Sequence, residues 1–449
     1  MSETLTVSVS ISLTVRGQFS NVKQLEETVH QQVHGAARQL YAQAFAAYQE
    51  RWLAAHRERY QPICWRKRQW LTPWGLVELP VRVVRERDRA HGGYHTLGKT
   101  LWRGQATRLL SPQLEREAIE AATQQNYRPA ARQLSQRCGA SLSHWAVWRC
   151  VQYYGGKLQE QLQRDWWPDP PQKYSAEVVV TEVDSTWLKW QRWGQNKGGP
   201  QHFLMHLGLH YTGRTRRVER RGRTDVSLQQ KTWLVGALGL GEFGTRLRRH
   251  RDRHYPATPG SRSLTVLLSD GDEALKWVRE REFPEAVWLL DRWHIGQKVR
   301  EFVGPNQAAY RAILQAVYAH DSEAALEALR PLEPAQNDAC RESFDELFGY
   351  LLGNRDGIDA FGQIPKRYRR RSGRHGPVVR AGSGAVEKNV EVHINRRFKR
   401  QGRGWNPVRA DRLAQLRWLQ QDNRNWKHWW NKVCLTTTKL NPGWPSTDN

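Results

Sequence analysis

The segment SDGDEALKWVREREFPEAVWLLDRWH, Ser269 to His294, constrains this chain more than any other. An apolar run ends on Asp270, a helix-forming stretch follows, and a second apolar run ends on Asp291, with His294 close behind. Gly271 permits a tight turn out of the first run. Asp272 has the chemistry of an N-cap for the helix DEALKWV. Strand, helix and strand in this order predict part of an α/β sheet, in which ligands gather at the carboxyl ends of the strands. Asp270 sits at such an end, although a capping role would also explain it.

Two further acids stand out. Upstream, AEVVVTEVDSTWLKWQ places Glu182 and Asp184 on one face of an apolar strand. An ionised acid inside a central strand is costly unless it is paired or bound to a cation. An edge strand, or a salt bridge to an arginine, would explain it as well. Downstream, GSGAVEKNVEVHINRRFKRQGRGW sets Glu387 in a short helix that runs into a basic stretch. Alone, a helical Glu is unremarkable. Asp291 and His294, one helical turn apart, can ligate a metal or stand behind the ligands as a supporting pair. Taken together, two carboxylates on neighbouring strands and one on a late helix can hold two divalent ions. Carboxylate oxygens suit Mg²⁺ or Mn²⁺, and such a site performs phosphodiester chemistry.

Charge points the same way. Lys and Arg total 70 against 44 Asp and Glu, a formal net charge of +26 over 449 residues, which is the footprint of a protein that meets a polyanion. The sequence has no apolar run long enough to span a membrane. Its first residues, MSETLTVSVSISLTV, alternate polar and apolar without the pattern of a signal peptide, so a cytoplasmic protein is expected. The mean hydropathy of −0.77 is low, but 22 Trp argue for a packed core over disorder. Cys64, Cys138, Cys150, Cys340 and Cys434 form no C-x-x-C pair, so neither zinc nor a disulfide frame is expected.

Along the chain, residues 1–63 read as an N-terminal helical region and 64–110 as a basic β-hairpin turning at Pro73-Trp74-Gly75. Residues 111–168 read as a helical domain with Ser111 as cap and Pro112 as first helical residue. Its NYRPAARQLSQRCGASLSHWAVWRCVQYYG has the size of a helix-turn-helix, with Ser141 or Ser143 capping a helix that carries Trp145, Trp148 and Arg149. An ordinary α-hairpin packing its aromatics inward would look similar. The proline-rich DWWPDPPQKYSAE marks a boundary. Residues 176–294 then read as the first part of a mixed α/β core, with a helical stretch near 228–250. Residues 295–380 read as an α-helical insertion, 381–430 as the catalytic helix and basic end of the core, and 431–449 as a tail.

These motifs resemble those of a known family, the ISLre-type DDE transposases of bacterial insertion sequences, which share a core with Mutator-like transposases. TEVDSTWLKWQR is similar to the family's EVDGTWLK, with Ser185 in place of Gly. SDGDEALKW, FPEAVWLLD and DRWH follow in the family's order, and GSGAVEKNV, NRRFKRQGRGW and ADRLAQLR match its third motif. TPWGLVELPVRVVRER resembles its hairpin, so the likeness runs over residues 65–430. It implies an RNase H-like mixed sheet with an all-α insertion, preceded by a mostly helical DNA-binding region. It implies cleavage at the terminal inverted repeats and joining of 3′-OH ends to target DNA, with Asp184, Asp270 and Glu387 as ligands of two Mg²⁺ ions. Asp291 and His294 would support the site from the second shell. Arg396, Arg397, Lys399, Arg400 and Arg403 would meet phosphates, with Arg149 on the N-terminal reader helix. Double-stranded DNA, and a homodimer or higher assembly on it, are the partners implied in a bacterial, nucleoid-associated setting. Some relatives carry paired cysteines near the N-terminus, where this chain keeps only Cys64. A catalytically silent DNA-binding derivative, or an RNA binder stacking bases on its tryptophans, are the competing readings.

Overall fold

The computed structural model describes residues 15, 19–87, 93–98, 106–107, 109–164, 167–170, 172–191, 201–218, 224–257, 263–336, 339–369, 379–380, 382, 384–401 and 404–435. Arg403 and most of the tail lie outside them. The chain forms two compact units, Met1–Pro168 with Leu419–Asn449, and Asp169–Trp418.

The first unit opens with α1, Val22–Ala55, whose start is capped by the Asn21 side chain accepting the Gln24 N–H. Only Phe45, Gln49 and Leu53, near its C-terminal end, are buried. That end lies on the hairpin β1, Tyr60–Thr72, and β2, Gly75–Glu86. Gln49 fastens it: its Nε2 donates to Pro80 O at 2.8 Å and its Oε1 accepts the Arg82 N–H at 2.8 Å. The hairpin turns at Pro73-Trp74, pairing Thr72 with Gly75. Gly75 has φ +108°, and a Cβ there would meet Cys138 O at 2.9 Å, so the turn requires glycine. β2 alternates buried and exposed positions, whereas β1 is exposed from Gln61 to Gln69. A short third strand, β3, Tyr94–Thr96, pairs with β2, leaving β1 as a sheet edge.

Three helices follow: α2, Pro112–Gln124; α3, Tyr127–Cys138; and α4, His144–Gln163. Ser111 caps α2 ahead of Pro112, and Ser143, not Ser141, caps α4. Gly139 ends α3 in the left-handed region, as a helix C-cap favours. The buried face of α4 includes Val147, Val151 and Leu158, while Trp145 and Arg149 face solvent. Residues 423–430, expected with the catalytic core, instead belong to this unit. Helix Asn423–Leu435 packs Trp430 on Tyr154, and its Trp429 Nε1 donates to Gln161 Oε1 at 2.6 Å. The burial of these tryptophans against α4 outweighs the sequence proximity to the core that suggested otherwise.

The second unit is built on five strands: β4, Val178–Lys189; β5, His202–Tyr211; β8, Thr232–Gly236; β9, Leu264–Ser269; and β10, Val287–Leu290. A separate two-stranded ribbon pairs β6, Gly213–Val218, with β7, Thr224–Gln229. The sheet order is β10-β9-β4-β5-β8. β4, β5 and β8 run antiparallel as neighbours, and β9 and β10 join parallel on the other side of β4. The run TWLVG is a strand where a helix over 228–250 was expected; helix α5, Leu240–His254, begins only after Gly236. Five buried residues, the last a glycine, carry too little periodicity to separate strand from helix. α6, Glu273–Glu282, joins β9 to β10. After β10 the chain is helical: α7, Arg292–Val303; α8, Gln307–Ala319; α9, Ser322–Leu329; α10, Arg341–Gly353; and α11, Arg355–Asp359. The last element before the basic stretch is α12, Ala385–Val390. It continues into a π-helical turn over Glu391–Asn395.

Candidate active site

β4 is buried at every position from Val178 to Val183, as a central strand covered on both faces must be. Asp184 is the first position where this cover lifts. Burial raises its carboxyl to about 6, while the Ser185 amide and the His294 ring pull back and the charges of Asp270 and Asp291 push up. Asp270 follows the last residue of β9, one strand over. Its Oδ1 accepts the Asp272 N–H at 3.0 Å, a local turn, and Tyr350 of α10 donates its hydroxyl to the Asp270 carbonyl at 2.7 Å. Gly271 has φ +84°, and a Cβ would lie 2.7 Å from Asn354 Oδ1 and from Leu290 Cδ1. Only glycine makes this turn.

Asp291 follows β10 in the same way and caps α7, its Oδ1 accepting the Trp293 N–H at 2.8 Å. It is buried, and the loop before α12 rests on it: a Cβ on Gly382, φ +99°, would meet Asp291 Oδ1 at 2.6 Å. His294 Nδ1 lies 3.4 Å from Asp291 Oδ2 and 3.9 Å from Glu387 Oε1. Burial alone would raise Asp291, but His294 and the Trp293 amide hold its carboxyl below the ordinary value. Burial opposes protonation of His294, yet Asp291, Asp270 and Asp184 together raise its pKa. Glu387 is pushed up to about 8, first by burial and then by the Asp291 charge.

Asp184 within β4 and Asp270 and Asp291 just past β9 and β10 all act on His294, and Asp291 acts on Glu387. Among the described residues, the group with ligand atoms all within 4.8 Å of one another is Asp291, His294 and Glu387. Asp184 and Asp270 act on this group through their charges. Both Glu387 carboxylate oxygens are buried, with the Asp291 carboxyl beside them. A buried carboxyl beside a second one ionises readily only when a cation is at hand, and an oxygen-rich donor set suits a hard ion such as Mg²⁺ or Mn²⁺.

Glu182 was read only as sharing a strand face with Asp184. It is fully buried and accepts from three sides: the Val386 N–H at 2.9 Å on Oε2, and the Tyr211 hydroxyl and Arg214 (3.4 Å) on Oε1. It thus holds the first turn of α12 to the central strand. The spacing in TEVD was the available signal, because the same face must serve both acids.

Of the basic residues, Arg396, Lys399 and Arg400 are exposed, with Arg400 on Glu391 at 2.8 Å and Arg396 at 3.8 Å from it. Arg397, expected among the phosphate contacts, is 1% exposed with its guanidinium 5.0 Å from the Trp405 ring centroid. With Phe398 it forms the inward side of this helical turn, where its guanidinium packs on the Trp405 ring.

A family model matches residues 16–431 of this architecture. The chain belongs to the uncharacterised protein family UPF0236. No curated protein matches this UPF0236 chain. Among solved structures, it is similar to one described as a Drosophila P element transposase strand transfer complex, at 9% identity and a TM-score of 0.25. That alignment covers 75% of this chain and 84% of the other. No helix of the described residues is long and apolar enough to cross a membrane.

Proposed function

We propose that this UPF0236 protein is a DNA transposase that cleaves the ends of its element and joins them to target DNA by DDE chemistry. The observation that carries the reading is the cluster of Asp291, His294 and the buried Glu387 carboxyl, with Asp184 and Asp270 acting on its His294 through their charges. The strand order supports it: three antiparallel strands followed by two parallel ones, with an acid in the first strand and at the end of the fourth, is the order of an RNase H-like core.

Asp184, Asp270 and Glu387 would hold two Mg²⁺ or Mn²⁺ ions, which when bound supply an activated oxygen nucleophile and stabilise the leaving oxygen. The chain's own part is positioning. Glu182 holds the α12 turn that aims Glu387, and Gly271 and Tyr350 fix the Asp270 turn. Asp291 and His294 neutralise each other beside Glu387 and set its orientation. Arg396, Lys399 and Arg400 offer phosphate contacts, which place a duplex without reading its sequence. Arg149 on α4 offers another. Duplex DNA is the partner, bound by two or more copies, since two element ends must be brought together.

The test is strand cleavage. Full-length protein is incubated with Mg²⁺ or Mn²⁺ and duplex carrying the sequences that flank its gene, beside Asp270→Ala. Nicks at a defined end, reduced by roughly three orders of magnitude (about 4 kcal/mol) in the variant, support the reading. Binding with no metal-dependent cleavage by wild type moves it to a silent DNA-binding derivative.

A further inference from the structure

A cavity of ≈ 330 Å³ opens between α7 and α8, on the side chains that follow Asp291. Its walls are Arg292, Trp293, Gln297, Arg300, Tyr310 and Tyr318, with Glu301 at the lining as well. Gly296 leaves the floor bare: a Cβ there would meet nothing closer than the Tyr310 hydroxyl at 3.5 Å. The size falls within the range of small-molecule sites.

Its chemistry is specific. Arg292 is half-buried between the Tyr318 and Phe361 rings, at 5.1 and 5.0 Å, and its Nη2 donates to His320 Nδ1 at 2.6 Å. Arg300 lies over Tyr310 at 4.9 Å and donates to its hydroxyl at 3.2 Å. Neither guanidinium has a carboxylate within ion-pair distance among the described residues, in contrast to Arg246, Arg248, Arg251 and Arg341. Two cations without counter-anions, one of them partly desolvated, mark an anion site, and arginine suits phosphate. Trp293 and Tyr318 are 45% and 54% exposed. Arg292 lies over one face of the Tyr318 ring at 5.1 Å and the His294 ring meets Trp293 edge-on at 4.8 Å, and the exposed remainder of each ring is open to a ligand. Gln297 adds a donor and an acceptor to the lining, and the Glu301 carboxylate, which only accepts, can serve N–H groups of a base and not a phosphate.

We propose that this cavity binds one unpaired nucleotide, its base on the Trp293 and Tyr318 faces and its phosphate on Arg292 and Arg300. A strand that enters the acids at Asp291 can deliver such a nucleotide by extruding it from the duplex. A free nucleoside phosphate carries the same chemistry. The strand-borne source rests on the transposase reading; the pocket itself does not.

The test uses the full chain and two probes with the same fluorescent base. One is free 2-aminopurine riboside 5′-triphosphate; the other is a duplex in which 2-aminopurine faces an abasic site, so that the base is already unpaired. Quenching is titrated for wild type, Trp293→Ala/Tyr318→Ala, Arg300→Ala and Tyr318→Phe, each checked for folding by circular dichroism. Saturable quenching is expected for wild type and Tyr318→Phe, with affinity weakened about tenfold or more in the other two. Whichever probe responds identifies the source. Affinity for fully paired duplex stays within about twofold throughout, because these residues act only on the unpaired nucleotide. Quenching of neither probe, or quenching that survives in the double variant, overturns the proposal. A wild type that binds no duplex overturns the transposase reading instead, and the free nucleotide then decides the pocket alone.

Discussion

Glu182 accepts the backbone N–H of Val386 at 2.9 Å, so the central strand holds the helix turn that presents Glu387. The two residues are far apart in sequence, and the bond is the direct tie between β4 and the start of α12. Its removal should act on the site and on stability together. Glu182→Ala removes the acceptor of the Val386 amide and the Tyr211 hydroxyl and the carboxylate partner of Arg214, a loss of about 3 kcal/mol or roughly 6–12 °C in melting temperature for a unit of this size. Glu182→Gln keeps an acceptor and should retain most of the stability while raising the Mg²⁺ concentration needed for half-maximal cleavage. Unchanged metal dependence in a folded Glu182→Gln protein would show that the bond does not position Glu387.

Metal binding should itself depend on pH. Burial raises Glu387 to about 8 and Asp184 to about 6, so without a cation both folded carboxyls hold their protons above the unfolded values. An ion must displace the Glu387 proton at about pH 6 but meets an anion at about pH 9. Saturating Mn²⁺, near 100 times its Kd, contributes ~2.7 kcal/mol, and the resulting rise in melting temperature should be larger at the higher pH. Glu387→Gln should abolish the difference. Equal shifts at both pH values would argue that Glu387 is no ligand.

The helical part of the first unit carries an acid with a simpler titration. Glu115 is buried, accepts the Tyr154 hydroxyl at 2.6 Å and the Thr107 N–H at 2.8 Å, and is raised to about 7 because burial outweighs these donors. A folded pKa above the unfolded 4.5 means that the folded state holds the proton more tightly. The associated stability is complete below about pH 4.5 and is lost as pH rises through about 7, a decline of about 3 kcal/mol. Urea unfolding of the full chain at about pH 5 and pH 8 should show this decline, and Glu115→Gln should flatten it.

The edge strand β1 makes a prediction about ionic strength. Arg66, Lys67 and Arg68 lie in a stretch exposed from Gln61 to Gln69, with Trp65 40% exposed under the Arg82 guanidinium at 4.6 Å. If this edge meets duplex phosphates, Arg66→Ala/Arg68→Ala should weaken binding equally for all sequences. The slope of log K against log salt should fall by about 0.9 for each phosphate no longer neutralised. A slope identical to wild type would place the duplex elsewhere.

The chain announces its strand ends more clearly than its long-range ties. TVLLSD and AVWLLD are short apolar runs closed by an acid, and both became parallel strands with the acid at the carboxyl end. Ser111-Pro112 fixed a helix start because capping is local. TWLVG escaped because its five residues lack a period, and it is a strand only because β5 lies beside it. The burial of Arg397 depends on Trp405 folding back over it, and the role of Glu182 on a helix some 200 residues later. No local pattern encodes either. Asp291 and His294 were legible as a pair one helical turn apart and read as support for the site, but that their ligand atoms come within 4.8 Å of Glu387 is a property of two distant segments packed together.

The π-helical turn at Glu391–Asn395 acts as a phase shifter. Hydrogen bonds that reach one residue further accommodate one residue more than an α-helix would. Everything after such an insertion is rotated by about 100° around the axis. Glu387 and the arginines from Arg396 onward therefore share an axis without sharing a phase. Deleting a single residue from the turn would leave every charge in the sequence in place, yet swing the basic segment to another side of the helix. The direction in which this segment faces is thus set by a count of residues, and a length change of one would be felt there more sharply than most substitutions.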